Sequence, residues 1–343
     1  MLVEVVAVTV AVVVGGVATL RVLFGPGEEE AKERMDFPFL SGEIAVEKVY
    51  KREIEYIYRR GGRIYTQTWY PSETPKGIIL LVHGMSGHSG RFGPFYDTFL
   101  KAGYVATGLD LRGFGRSSGR HGYVSSIADL ADDVAHVLQR LKERFPNKPL
   151  FLLGGSMGGL TAVFATLTLQ KQPEPLVAGV ILHAPALHIS SDSRPSWIVE
   201  QIGRLLFLLA PKLPLLSFDE PPNGADGKPL AIDDDNDPLY YSGLMRIGTG
   251  LAIVGAVETV TPELSQVAVP FLIQHGDADK VVPPESSKHL TEVAKSSDKT
   301  LLLYPKGGHL LWAEPDFIKD PFMADMVSWM DARLRDVKVD CYM

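Results

Sequence analysis

A serine held between glycines, Gly154-Gly155-Ser156-Met157-Gly158, follows the apolar run Leu150–Leu153 and precedes a mostly apolar stretch, Thr161–Leu169. Strand, tight turn and helix are predicted in that order. Glycines at 154 and 158 let strand and helix pass closely while the turn lifts the hydroxyl above the sheet. By itself the pattern also fits a glycine-rich turn whose serine only caps a helix. A serine hydroxyl is a weak nucleophile that needs a base, and the base needs an orienting acid. With the serine on such an elbow, acid and then histidine follow it in the chain. Two later apolar runs end in suitable residues. Phe271–Gln274 leads into His275-Gly276-Asp277-Ala278-Asp279-Lys280, and Leu301–Tyr304 leads into Pro305-Lys306-Gly307-Gly308-His309. Asp277 and Asp279 compete for the acid. Asp279, deeper in its loop before Val281, Val282 and Pro283, is preferred, although either suits a turn cap. His309 is the expected base, Ser156 the nucleophile. Backbone N–H groups of Met157, at the helix start, and Met85, in the loop after an earlier strand, are the expected oxyanion donors. His83 reads as a loop brace, and Asp110 with Arg112 as a loop-stabilising pair. His275 reads as less well placed than His309.

The surrounding pattern supplies elements to hold these residues. Val49–Tyr58 and Ile64–Trp69 alternate like antiparallel strands joined by a turn at residues 59–62. Ile78–Val82, Tyr104–Leu109 and Val177–Leu182 read as further strands. Phe92–Ala102, Ile127–Phe145, Glu285–Ala294 and Asp316–Leu334 read as helices; Leu130, Val134, Val137, Leu138 and Leu141 recur at helical spacing. Strands alternating with helices imply an α/β fold with a mostly parallel sheet covered on both faces. Loops at the C-terminal strand ends are where such sheets place ligands.

The 343 residues suffice for a large core, and a net charge of -7 argues against a broad nucleic-acid face. The only cysteine is Cys341, so no intramolecular disulfide can form. No HExxH, paired-cysteine or phosphate-loop motif suggests a metal or cofactor. Residues 1–24 are apolar apart from Glu4 and Arg21. They read first as a membrane anchor, with a cleaved signal peptide or a buried terminal element as alternatives. Residues 25–45, rich in glutamate at Glu28–Glu30, read as a linker, and 46–335 as the folded domain. Within it, 185–250 interrupts the alternation as a cap. Ile198, Ile202, Leu205 and Leu209 share one face of its apolar stretch. That stretch is either a helix packed on its own domain or a lid lining an acyl pocket and touching a membrane surface.

Taken together, His83-Gly84 with Ser89-Gly90-Arg91, Asp110–Ser117, Gly154–Gly159, Asn236-Asp237-Pro238, His275–Asp279 and Gly308-His309 resemble the α/β-hydrolase superfamily. Within it they resemble the monoacylglycerol lipase-like, or lysophospholipase-like, serine hydrolases. The resemblance covers about residues 46–334. It implies an α/β-hydrolase fold with an inserted helical cap, a Ser156–Asp279–His309 triad, an oxyanion hole at Met85 and Met157, and Arg91 near substrate. It further implies hydrolysis of single-chain glycerolipid esters without a cofactor. Animal monoacylglycerol lipases usually carry Glu where this chain has Gly87, and a second His where it has Trp312; by resemblance both lie near the glycerol end. The expected activity is therefore monoacylglycerol hydrolysis through an acyl-enzyme at a membrane, with the catalytic domain in the cytosol. Lysophospholipase and acyltransferase activity, and a lipid-binding protein without turnover, are the alternatives.

Overall fold

The computed structural model describes residues 14–27, 31–173, 175–188, 197–216, 223–230, 232 and 236–337. Its strands are β1 (Lys51–Arg59), β2 (Gly62–Tyr70), β3 (Gly77–Val82), β4 (Tyr104–Asp110), β5 (Leu150–Gly155), β6 (Gly179–His183), β7 (Pro214–Leu216), β8 (Met245–Arg246), β9 (Phe271–Gly276) and β10 (Lys299–Tyr304). Its helices are α1 (residues 14–24), α2 (Ser41–Glu47), α3 (Gly93–Lys101), α4 (Ile127–Arg144), α5 (Met157–Leu169), α6 (Trp197–Leu209), α7 (Ile247–Val260), α8 (Glu285–Val293) and α9 (Asp316–Val337). Eight strands form one sheet in the order β1-β2-β4-β3-β5-β6-β9-β10. β2 runs antiparallel to β1 and β4, and all the other pairs are parallel. This is the α/β architecture expected from the alternation.

The central strands are apolar throughout because both sheet faces are covered. In β3, Ile78, Leu80 and Val82 join the core beneath α4, α5 and α7, whereas Ile79 and Leu81 join the one beneath α3 and α9. Successive strand residues point to opposite faces, so one short apolar run serves two cores. Helix α4 shows the complementary pattern. Leu130, Val134, Val137, Leu138 and Leu141 are buried along one stripe, and the Ser126 hydroxyl caps the helix by accepting from Asp129 N at 3.2 Å. Helix α5 is buried nearly all round, wedged between the sheet, α4 and α7. That packing holds its N-terminus at the C-terminal end of β5.

Two boundaries differ from those expected. The folded domain begins before residue 46. Arg34 is buried and donates to the carbonyls of Gly115 (2.6 Å), Ser117 (2.5 Å) and Gly119 (2.9 Å), while Arg116 donates to Met35 O at 2.9 Å. Glu43 and Val46 of α2 are also buried. The described part of the expected 25–45 linker is therefore part of the domain, held by guanidinium-to-carbonyl bonds that composition does not reveal. Glu28–Glu30 lie outside the described residues. Secondly, the insertion ends in a helix, α7, that starts before residue 250 and returns the chain to β9. Among the described residues no helix is long and apolar enough to cross a membrane.

Candidate active site

Ser156 sits between β5 and α5 with φ 53° and ψ −121°, a backbone conformation that side-chain-bearing residues rarely adopt. The glycines around it answer to close backbone approach. A Cβ on Gly154 would lie 2.4 Å from Gly158 O, and one on Gly158 would lie 2.4 Å from both Val82 O and His83 O. The strained turn is pinned on both sides. Ser156 N donates to His183 O at 2.9 Å, and Ser156 O accepts from Gly159 N at 2.9 Å and from Ala186 N at 3.1 Å.

The loops after β9 and β10 bring the other two residues together. His309 Nδ1 lies 2.7 Å from Asp279 Oδ2. Asp279 is buried, and its Oδ1 accepts from Val281 N at 2.8 Å and Val282 N at 3.0 Å. Burial alone would raise the pKa of this carboxyl. The bonds from His275 and His309 outweigh it and hold Asp279 well below the usual carboxylate range, so it is ionised. Its rival Asp277 faces elsewhere and accepts from Lys306 N at 2.6 Å, tying one loop to the other. Ser156 and His309 flank the same residue: Ser156 N bonds the His183 carbonyl, and the His183 ring stacks on that of His309 with centroids 6.5 Å apart. Burial, then the neighbouring His309, pushes the His183 imidazole down to about 3 and keeps it neutral. Glu314, also buried, accepts from Gly308 N at 2.7 Å and steadies the turn before His309.

The loop after β3 passes over the serine. A Cβ on Gly84 would lie 3.1 Å from Ser156 Cβ and 3.7 Å from its Oγ, and Met85 follows directly. The N–H of Met157 is in the first turn of α5, where the helix itself offers no acceptor. His83 braces this loop: its Nε2 accepts from Leu111 N at 2.9 Å, so Nδ1 donates to Gly84 O at 2.7 Å. Burial lowers it to about 4, which keeps it neutral.

The family model named Hydrolase_4, described as serine aminopeptidase, S33, matches residues 73–316. The chain belongs to this family. It is 28% identical over 274 residues to the monoacylglycerol lipase of Mycolicibacterium smegmatis, covering 80% of this chain and 95% of that one. It is 32% identical over 287 residues to the caffeoylshikimate esterase of Arabidopsis thaliana, covering 82% and 85%. Among solved structures, the monoacylglycerol lipase of Paleococcus ferrophilus shares 27% of its sequence at a TM-score of 0.65, covering 79% of this chain and 99% of that one. The sheet, the elbow and the loop order are those of an α/β-hydrolase.

Within this hydrolase scaffold some expected residues lie elsewhere. Arg91 was expected to meet substrate. Its Nη1 instead bonds Asp237 Oδ2 at 3.1 Å and its guanidinium lies over the Tyr240 ring. His88 Nε2 donates to the same carboxylate at 2.9 Å. These contacts make Arg91 a brace between the loop after β3 and the cap. Leu205 was expected to line an acyl pocket but is 64% exposed, because α6 turns this residue and Leu208 outward. Leu209 is partly buried, and the side chains of Ile198 and Ile202 lie outside the described residues. Asp110 and Arg112 do not pair. Asp110 accepts from Ser89 N and Arg116 N, both at 2.7 Å, and Arg112 bonds Asp133 at 2.6 Å. Trp312 packs on the α3/α9 core. His275 is the residue that sequence reasoning underrated. It is fully buried with Nε2 3.0 Å from Asp279 Oδ2, and its one sequence signal was a position four residues before that acid.

Proposed function

We propose that this chain is a serine hydrolase that cleaves the carboxylic ester of a single-chain glycerolipid, with monoacylglycerol as substrate and fatty acid and glycerol as products. The observation that carries the reading is the His309–Asp279 bond beside a serine on a strained elbow. Asp279 is ionised and accepts the Nδ1 proton, so His309 Nε2 carries the lone pair. His309 takes the Ser156 proton as Oγ attacks the ester carbonyl. The N–H groups of Met85 and Met157 take the oxyanion, a donor of this kind contributing about 3 kcal/mol. His309 then protonates the leaving glycerol oxygen. Water, deprotonated by His309 in turn, releases the fatty acid from Ser156.

The same reading sets the enzyme on a membrane surface, held by its N-terminal segment with the catalytic domain on the cytosolic side. Support comes from apolar side chains turned outward on two adjoining elements. Val14, Val22 and Leu23 of α1 are exposed, as are Leu205, Leu208 and Leu215 of the cap. Lys212 N donates to Phe24 O at 3.0 Å, joining the end of α1 to the cap. Exposed apolar groups gathered in this way suit burial in a lipid interface.

The test is a panel of monoacylglycerols and lysophospholipids together with a fluorophosphonate probe, comparing the wild type with Ser156→Ala. Labelling and fatty-acid release are expected for the wild type and absent for the variant. A wild type that takes no label and releases no fatty acid refutes the reading. Release from lysophospholipids alone moves the substrate, and ester exchange with an added alcohol moves the reaction to acyl transfer.

A further inference from the structure

Asp279 Oδ2, the oxygen that bonds His309, has a second partner. His275 Nε2 lies 3.0 Å from it and 2.9 Å from Val282 O. Both neighbours are acceptors, so Nε2 carries the ring proton and donates. At the other side of the ring Nδ1 lies 2.7 Å from the Ser287 hydroxyl, which must then donate to it. Ser287, like His275, is fully buried. A directed chain results, from Ser287 to His275 to Asp279, and it meets His309 on the same carboxylate oxygen. An ionised carboxylate offers about four lone-pair sites. In Asp279 all four face donors: Val281 N and Val282 N on Oδ1, His275 and His309 on Oδ2.

We infer that His275, polarised by Ser287, is a positioning residue for the catalytic acid. Two donors on Oδ1 and one on Oδ2 leave a single direction open, and that direction faces His309. The carboxylate plane is therefore set before His309 arrives, and the imidazole is turned to present Nε2 toward the serine. Take His275 away and Asp279 keeps three of its four donors but gains rotation about Cβ–Cγ. His309 then shares the loss of alignment. The effect belongs to the chemical step, because His275 is buried behind Asp279 and touches no substrate. This role rests on the triad reading given above.

Two conservative replacements separate positioning from simple packing. Glutamine places its amide nitrogen near where Nε2 lies and can still donate to Asp279. Asparagine reaches only as far as Nδ1 and cannot. The experiment measures kcat and KM for a short-chain monoacylglycerol with wild type, His275→Gln, His275→Asn and Ser287→Ala, alongside thermal unfolding of each. The expected result is that His275→Asn loses roughly ten-fold or more in kcat with KM within about two-fold, as for a group acting through another in the transition state. His275→Gln recovers most of that loss. Ser287→Ala, which keeps the donor but weakens it, falls in between. Should His275→Asn not fold, Ser287→Ala carries the test, with a kcat loss expected and an unchanged kcat overturning the role. Glutamine and asparagine variants alike in kcat, or losses that follow unfolding temperature, also overturn it while the wild type still turns over ester. A wild type without turnover overturns the triad reading, and this role with it.

Discussion

Ser156 stores strain, and a pair of substitutions should expose it. Its φ of 53° and ψ of −121° lie where a Cβ collides with its own backbone and glycine alone is at ease. Such a residue costs about 1–3 kcal/mol, retained because the surrounding structure over-determines it. Here the determinants are the bonds from Ser156 N to His183 O and from Gly159 N and Ala186 N to Ser156 O. Ser156→Ala removes the hydroxyl and keeps the Cβ. Ser156→Gly removes both, so the pair isolates the Cβ, and neither variant has activity to confuse the comparison. At an ordinary position the glycine variant is less stable by roughly 0.5–1 kcal/mol, from chain entropy. Here about 2 kcal/mol of strain relief outweighs that penalty, leaving Ser156→Gly more stable than Ser156→Ala by about 1 kcal/mol. An unfolding entropy of about 2.1 cal/mol/K per residue, over 343 residues, comes to about 0.7 kcal/mol/K. The melting temperature should therefore rise by about 1.5 °C. Urea titration of the two variants in parallel reads the same difference in midpoint. A glycine variant less stable than the alanine variant by the ordinary margin refutes the argument, because the elbow would then be unstrained.

Acid should destabilise the fold through buried neutral histidines. Burial lowers His83 to about 4, and burial with His309 lowers His183 to about 3, from 6.5. The unfolded chain therefore binds protons first. Stability from these groups is complete above about pH 6.5 and is lost as pH falls toward their folded values. Each contributes about 1.4 kcal/mol per pH unit in that window, so moving from pH 7 to pH 5 should cost on the order of 4 kcal/mol. Urea midpoints that do not change across that range contradict this. At the surface, Leu205→Asp with Leu208→Asp should weaken co-sedimentation with lipid vesicles, the N-terminal segment supplying what binding is left, while turnover of a dissolved short-chain ester stays within about two-fold. Undiminished vesicle binding would remove the cap from the membrane contact.

Some of this molecule is written locally in the chain. The apolar runs flanking Ser156 and the stripe from Leu130 to Leu141 are read from neighbours within one or two turns, where periodicity of 2 or 3.6 expresses burial directly. The order of serine, acid and histidine follows from the same reading, because parallel strands deliver their C-terminal loops to one edge. The tertiary structure decided the rest. The preference for Asp279 became a contact only once its loop and that of His309 met, 30 positions apart, whereas Asp277 turned to Lys306 N. Arg91 found Asp237 across 146 positions and Arg34 found Gly115 across 81, so one became a cap brace and the other drew a supposed linker into the domain. The outward turn of Leu205 was harder to read, since residues 205–209 are all apolar and that last stretch of α6 carries no polar residue to mark its outer face. Local pattern records which side chains leave water. It carries no record of which distant loop will supply a buried charge with its partner, and that pairing gives each polar residue here its role.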